Sequence, residues 1–177
     1  MASRKTDPAP ASDRLRWAAD VVAPQPGDRV LEVGSGHGVL VGLLADEVVA
    51  GEVVGLDRSP TMTAAAGRRN RAYVEAGRVR LQTGTFEDAD LGAEPFDRLV
   101  AFNVALFHRS ADHWSRVDRL LQPAGEAYVF HQLMDPTAHQ RVLDDFTGVL
   151  ATAGWYVARV LRTETWPYPS VGVMVRR

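Results

Sequence analysis

Residues Val30 to Gly38 read VLEVGSGHG, an acidic side chain followed by three alternating glycines at the end of an apolar run. Glycine lets the backbone turn sharply and lets a ligand come close, because no Cβ stands in the way. A helix starting behind such a turn adds unpaired N–H groups and positive partial charge, which suit a carboxylate or a phosphate. About twenty residues later the run VVGLD ends in Asp57, where a carboxylate can accept both hydroxyls of a ribose. The chemistry is therefore the binding of a nucleoside-bearing cofactor. Its spacing is E-x-G-x-G-x-G from Glu32 to Gly38, whereas dinucleotide sites carry G-x-G-x-x-G. Reading Gly34-x-Gly36-x-x-Val39 puts a branched residue where that pattern wants glycine or alanine. An NAD-linked oxidoreductase is disfavoured for this reason, and the chain has no Tyr-x-x-x-Lys pair for hydride transfer. Two histidines, His108 and His131, close later apolar runs, and imidazole is the side chain whose ordinary pKa suits a general base near neutrality.

These residues need a scaffold that gathers strand ends on one edge. Short apolar runs RVLEV, EVVGLD, RVRLQT, FDRLVAFN and GEAYVFHQ read as strands. Between them GVLVGLLADEVV, SPTMTAAAGRRNRAYVEAG and SADHWSRVDRLLQ read as helices, and GTFEDADLGAEP as a loop with a short helical turn. Ser59 is the expected N-cap of the second of these helices, with Pro60 in its first turn and Gly77 after its end. Another helix is expected at Asp13 to Val22. A last one runs from DPTAHQ to Gly154, with Asp135 as N-cap. Alternating strands and helices imply a parallel sheet covered on both faces. The ending WYVARVLRTETWPYPSVGVMVRR holds two apolar runs with only a Pro-rich turn between them. That is too short for a crossover, so an antiparallel hairpin should close a mixed sheet.

Composition narrows the function classes. The 177 residues, 46% hydrophobic, fit one domain over 13–177, preceded by a Pro- and Ala-rich segment 1–12 expected to be mobile. The net charge of −2 argues against nucleic acid as a partner. Arg68, Arg69, Arg71, Arg78 and Arg80 read as solvated cations. Without cysteine there is no thiolate nucleophile and no thiolate metal site, and no metal is expected. No run approaches the roughly 18 apolar residues of a membrane span. The expectation is a cytoplasmic protein, monomer or homodimer.

With these motifs in order, the chain resembles the class I S-adenosylmethionine-dependent methyltransferases from about Asp13 onward. VLEVGSGHG is similar to their first motif and VVGLDRS to their second. GTFEDADL stands at their adenine-binding acidic loop, FDRLVAFNVALFH at their fourth strand with its active-site lip, and RLLQPAGEAYVF at their turn into strand five. The resemblance implies an α/β, Rossmann-like three-layer sandwich with a seven-stranded, mostly parallel sheet. Its strand order would be 3-2-1-4-5-7-6, with strand seven antiparallel. It implies S-adenosyl-L-methionine as cofactor and S-adenosyl-L-homocysteine as product.

Carried over by position, Gly34, Ser35, Gly36, His37 and Gly38 would wrap the methionine portion. Glu32 would hold the ammonium or brace the loop. Asp57 would bind the ribose, with Arg58 along the adenine. Phe86 would offer a backbone N–H to adenine, and Asn103 a carbonyl near the ammonium. Thr85 stands where many relatives carry Asp, so the adenine amino group lacks its usual partner; Glu87 or Asp88 could replace it. A hydroxyl acceptor needs a base, for which His108 and His131 are the candidates, whereas a free amine needs none. Arg109 could hold an anionic substrate or face water. No N/D-P-P-Y/F follows strand four, which disfavours amino methylation of nucleic acid bases. Trp17, Trp166 and Tyr168 could line an acceptor pocket or pack, while Trp114 and Trp155 look like core. The leading expectation is methyl transfer to a small-molecule acceptor. The alternative is a non-catalytic S-adenosylmethionine-binding partner or sensor.

Overall fold

A computed structural model describes residues 12–135 and 138–177. The mobile segment expected over 1–12 therefore lies outside the described residues, apart from Ser12. The elements run α1 (Asp13–Val22), β1 (Arg29–Val33), α2 (Val39–Glu47), β2 (Glu52–Asp57), α3 (Pro60–Arg69), α4 (Arg71–Glu75) and β3 (Val79–Thr83). They continue with β4 (Phe96–Phe102), a 3-10 turn (Ala105–His108), α5 (Asp112–Leu120), β5 (Leu121–Gln132), α6 (Ala138–Thr152), β6 (Tyr156–Thr163) and β7 (Ser170–Arg176).

All seven strands form one sheet in the order β3-β2-β1-β4-β5-β7-β6. The first five run parallel, and β7 is antiparallel to both β5 and β6. The central strands are largely apolar because both of their faces are covered, Glu32 of β1 being the buried exception. Val30, Val53, Val100, Tyr128, Phe130 and Met174 pack toward α1 and α2. Their chain neighbours Leu31, Val54, Leu99, Val129 and Val173 pack toward α5 and α6, a layer built around Trp114. Trp114 is fully buried, lies against Phe107, Phe146 and Trp155, and donates from Nε1 to the Phe107 carbonyl at 2.9 Å. Trp155 is buried too, as expected of core. Among the described residues no helix is long and apolar enough to cross a membrane.

The structure departs from the sequence reading at three places. The helix expected to run unbroken from Ser59 divides into α3 and α4 at Asn70, whose buried amide donates to Ala66 O at 3.0 Å and Gly38 O at 2.8 Å. The loop after β3 holds turns but no helix. β5 begins at Leu121 because Phe96 pairs with Leu121 before the register jumps to Arg98 opposite Glu126; the expected turn is a bulge inside the strand. The expected caps of α3 hold: Ser59 Oγ accepts from Met62 N, and Gly77 ends α4 at φ 71°.

Candidate functional site

The glycine turn connects β1 to α2 at the carboxyl edge of the sheet. Gly34 N and Ser35 N both donate to Leu56 O of β2, at 2.8 and 3.0 Å, so the turn is stitched to the next strand. Gly34 and Gly38 are obligatory. Both have positive φ, 77° and 74°, and an added Cβ would come within 2.5 Å of Val104 Cγ2 or of Asn70 Nδ2. Asp57 ends β2 and receives two backbone donors, Gly36 N on Oδ2 at 2.8 Å and Ser59 N on Oδ1 at 2.9 Å. It couples the glycine turn to the start of α3 while lining the cleft beside them.

That cleft, about 650 Å³, contains six of the expected cofactor residues: Gly34, Asp57, Arg58, Thr85, Phe86 and Asn103. Ser35, Gly36, His37 and Gly38 belong to the turn behind Gly34, with Ser35 and Gly38 buried and His37 exposed. Glu32 lies beneath the turn, 3% exposed, and its Oε2 has no partner. Burial holds this carboxyl well above the ordinary carboxylate range; a hydrogen bond from the Val41 backbone opposes the rise and the Asp57 charge adds to it. A buried oxygen without a partner, a cleft-lining carboxylate with lone pairs to spare and a turn open to close approach fit an adenosyl amino acid.

Elsewhere the geometry refines the expected roles. Thr85 Oγ1 donates to Asp88 Oδ2 at 2.9 Å and accepts from Asp88 N, so its hydroxyl is already engaged. Glu87 lines the cleft opposite His113, with Nδ1 to Oε1 at 3.4 Å. The Phe86 ring is buried against Phe107. Asn103, at φ 57°, lines the cleft and accepts from Gln132 N on its side-chain oxygen at 2.9 Å.

His108 and His131 come together, their rings edge-to-face at 5.2 Å, but neither is among the residues lining the cleft. His131 is 7% exposed and packs beside Leu143 and Phe146 of α6. Burial pushes its pKa down to about 4, with the nearby His108 and His139 adding to the effect. His108 is half-buried; burial and Arg109 lower its pKa, and Asp145 opposes them. His108 Nδ1, His131 Nε2 and His139 Nε2 are buried without partners. Among the described residues no group of His, Asp or Glu is arranged to hold a metal ion. Trp17 packs edge-on against Phe130, while Trp166 is 82% exposed. Sequence reasoning missed Asn70 and His113, which sit inside apparently ordinary helices and carry no local signal.

The strand order with its single reversed strand is that of the class I methyltransferase fold. Residues 30–125 match the family described as methyltransferase domain, and the chain belongs to that family. It is 39% identical over 83 residues to a 2-phytyl-1,4-naphtoquinone methyltransferase of Synechococcus elongatus, a match covering 46% of this chain and 36% of that protein. It is 35% identical over 111 residues to the ribosomal protein L11 methyltransferase of Thermus thermophilus, covering 63% of this chain and 41% of the other. These matches thus span well under half of the curated relatives' length. Among solved structures, a SAM-dependent methyltransferase from Aquifex aeolicus superposes with TM-score 0.73 at 18% identity, covering 93% of this chain and 89% of that one.

Proposed function

We propose that the protein transfers a methyl group from S-adenosyl-L-methionine to an oxygen or nitrogen of a small-molecule acceptor. The observation that carries this reading is the Asp57 carboxylate, fixed by Gly36 N and Ser59 N in the wall of the cleft, with the glycine turn beside it. When bound, S-adenosyl-L-methionine supplies a methyl group on a sulfonium sulfur, open to in-line displacement. Asp57 accepts the ribose hydroxyls, Arg58 covers the adenine and Phe86 N–H meets its edge. The turn Gly34–Gly38 surrounds the amino-acid arm, above Glu32.

The lip formed by Val104, Ala105 and Leu106 lines the cleft with apolar side chains, Val104 packing directly against Gly34 of the turn. It holds an acceptor and excludes water. Positioning of this kind supplies about 7–11 kcal/mol of a displacement barrier. Where the acceptor is a hydroxyl, His108 is the better base of the histidine pair: it lies within the 3-10 turn that carries the lip, and His131 at about 4 is too weakly basic. The naphtoquinone methyltransferase supports a small acceptor, while the L11 enzyme supports a protein one.

Calorimetry with S-adenosylhomocysteine and with NAD tests the cofactor. The first should bind and Asp57→Ala should weaken it by about 1–3 kcal/mol, the loss of buried hydroxyl partners. NAD binding without S-adenosylhomocysteine binding refutes the reading. Methyl transfer to a panel of phenols, quinols and amines, against unfolded and ribosomal proteins, decides the acceptor class.

A further inference from the structure

One cation beside the cleft is left without a counter-charge. Arg14 of α1 lays its guanidinium over the Phe102 ring, 5.6 Å from the centroid, and donates from Nη1 to Gln132 Oε1. Its Nε is buried and has no partner. A ring and a neutral amide are its neighbours, and no carboxylate pairs with it among the described residues. The guanidinium is also held in place. Gln132 Nε2 donates to Tyr168 O at 2.8 Å and Thr165 Oγ1 at 3.2 Å, and Gln132 N donates to Asn103 Oδ1. The Gln132 amide is thereby oriented with its oxygen toward Arg14. A half-buried guanidinium with unmatched donors and an unmatched charge is completed by an anion that arrives from outside, and guanidinium and carboxylate match in shape.

Position in the sheet selects the anion. Asp57 closes β2, and β1 with its glycine turn separates β2 from β4. Two strand spacings put the end of β4, where Phe102 and Asn103 line the cleft, roughly 10 Å from the ribose site. Arg58 adjoins Asp57, and Thr85 and Phe86 line the cleft beyond β2 on the β3 side, so the nucleoside occupies the β2–β3 side and the amino-acid arm must extend toward β4. The two arginines that line the cleft itself, Arg58 and Arg109, are exposed, whereas Arg14 stands half-buried behind its Phe102 wall.

We propose that Arg14 binds the α-carboxylate of the cofactor, with Phe102 and Gln132 positioning its guanidinium, so that α1 completes the amino-acid end of the site. This rests on the reading of the cleft as an S-adenosylmethionine site.

The test is calorimetry with a ligand pair that differs only in this group, S-adenosylhomocysteine and its decarboxylated analogue. The unaltered protein should prefer the carboxylate-bearing ligand by about ten- to hundredfold, as for a hydrogen bond to a charged group. Arg14→Gln should erase that preference while leaving affinity for the decarboxylated analogue within about twofold. Equal affinity of the unaltered protein for the two ligands overturns the proposal, whatever the variant does. So does an Arg14→Gln variant that still discriminates, or one that weakens both ligands equally. If the unaltered protein binds neither ligand, the reading of the cleft itself fails and this assignment falls with it.

Discussion

Acid should loosen the α6 layer of this protein through one side chain. His131 would titrate near 6.5 in a free chain, and burial beside Leu143 and Phe146 brings it down to about 4. The difference between those values corresponds to about 3 kcal/mol at most. The sign follows from which state takes the proton. Above 6.5 the imidazole is neutral folded and unfolded, and the full stability is present. Between 6.5 and about 4 the unfolded chain binds a proton that the fold does not, so stability falls as pH falls through this window. Four groups bear on the effect: His108 and His139 face the ring and disfavour its charge, Arg109 acts with them on His108, and Asp145 acts against them.

The perturbation is His131→Leu, which keeps an apolar volume and removes both the titration and the unpartnered Nε2. Urea unfolding at about pH 7.5, 6 and 4.5 should show the unaltered protein losing on the order of 2–3 kcal/mol more than the variant over that range. Unfolding free energies that run parallel for the two proteins would refute the assignment of this acid sensitivity to His131.

Two further outcomes are expected. Gly38→Ala places a methyl group 2.7 Å from Ala66 Cβ at φ 74° and should lower stability by about 2–4 kcal/mol, read from thermal unfolding, with a matching loss of S-adenosylhomocysteine affinity. Glu32→Gln should raise stability at pH 7. The buried carboxyl keeps its proton above the ordinary 4.5, so the stability it contributes is present below 4.5 and lost as pH rises through its raised value. The amide escapes that loss, and unchanged stability at pH 7 alongside unchanged cofactor affinity would remove Glu32 from both roles.

The strand–helix alternation and the closing hairpin were legible because hydrophobic runs and turn residues are local signals. The glycine turn and Asp57 were legible for the same reason: the backbone conformation and the strand-end acid are written in consecutive residues. What was hidden depends on facing. YVFH in β5 is apolar on both sides of the sheet, so no alternation discloses that His131 shares the face of Val129 rather than that of Phe130. The break at Asn70 was hidden because its cause is a carbonyl more than thirty residues earlier, Gly38 O. The pairing of Thr85 with Asp88 needed the folded loop to be seen.

Helix α3 is fastened to the glycine turn at both of its ends. Its first residues hang from Asp57, which also holds Gly36, and its last turn is pinned through Asn70 to Gly38. The crevice floor and this helix therefore form a closed truss. A molecule that stiffens the floor should slow amide exchange along α3, well away from any atom it touches.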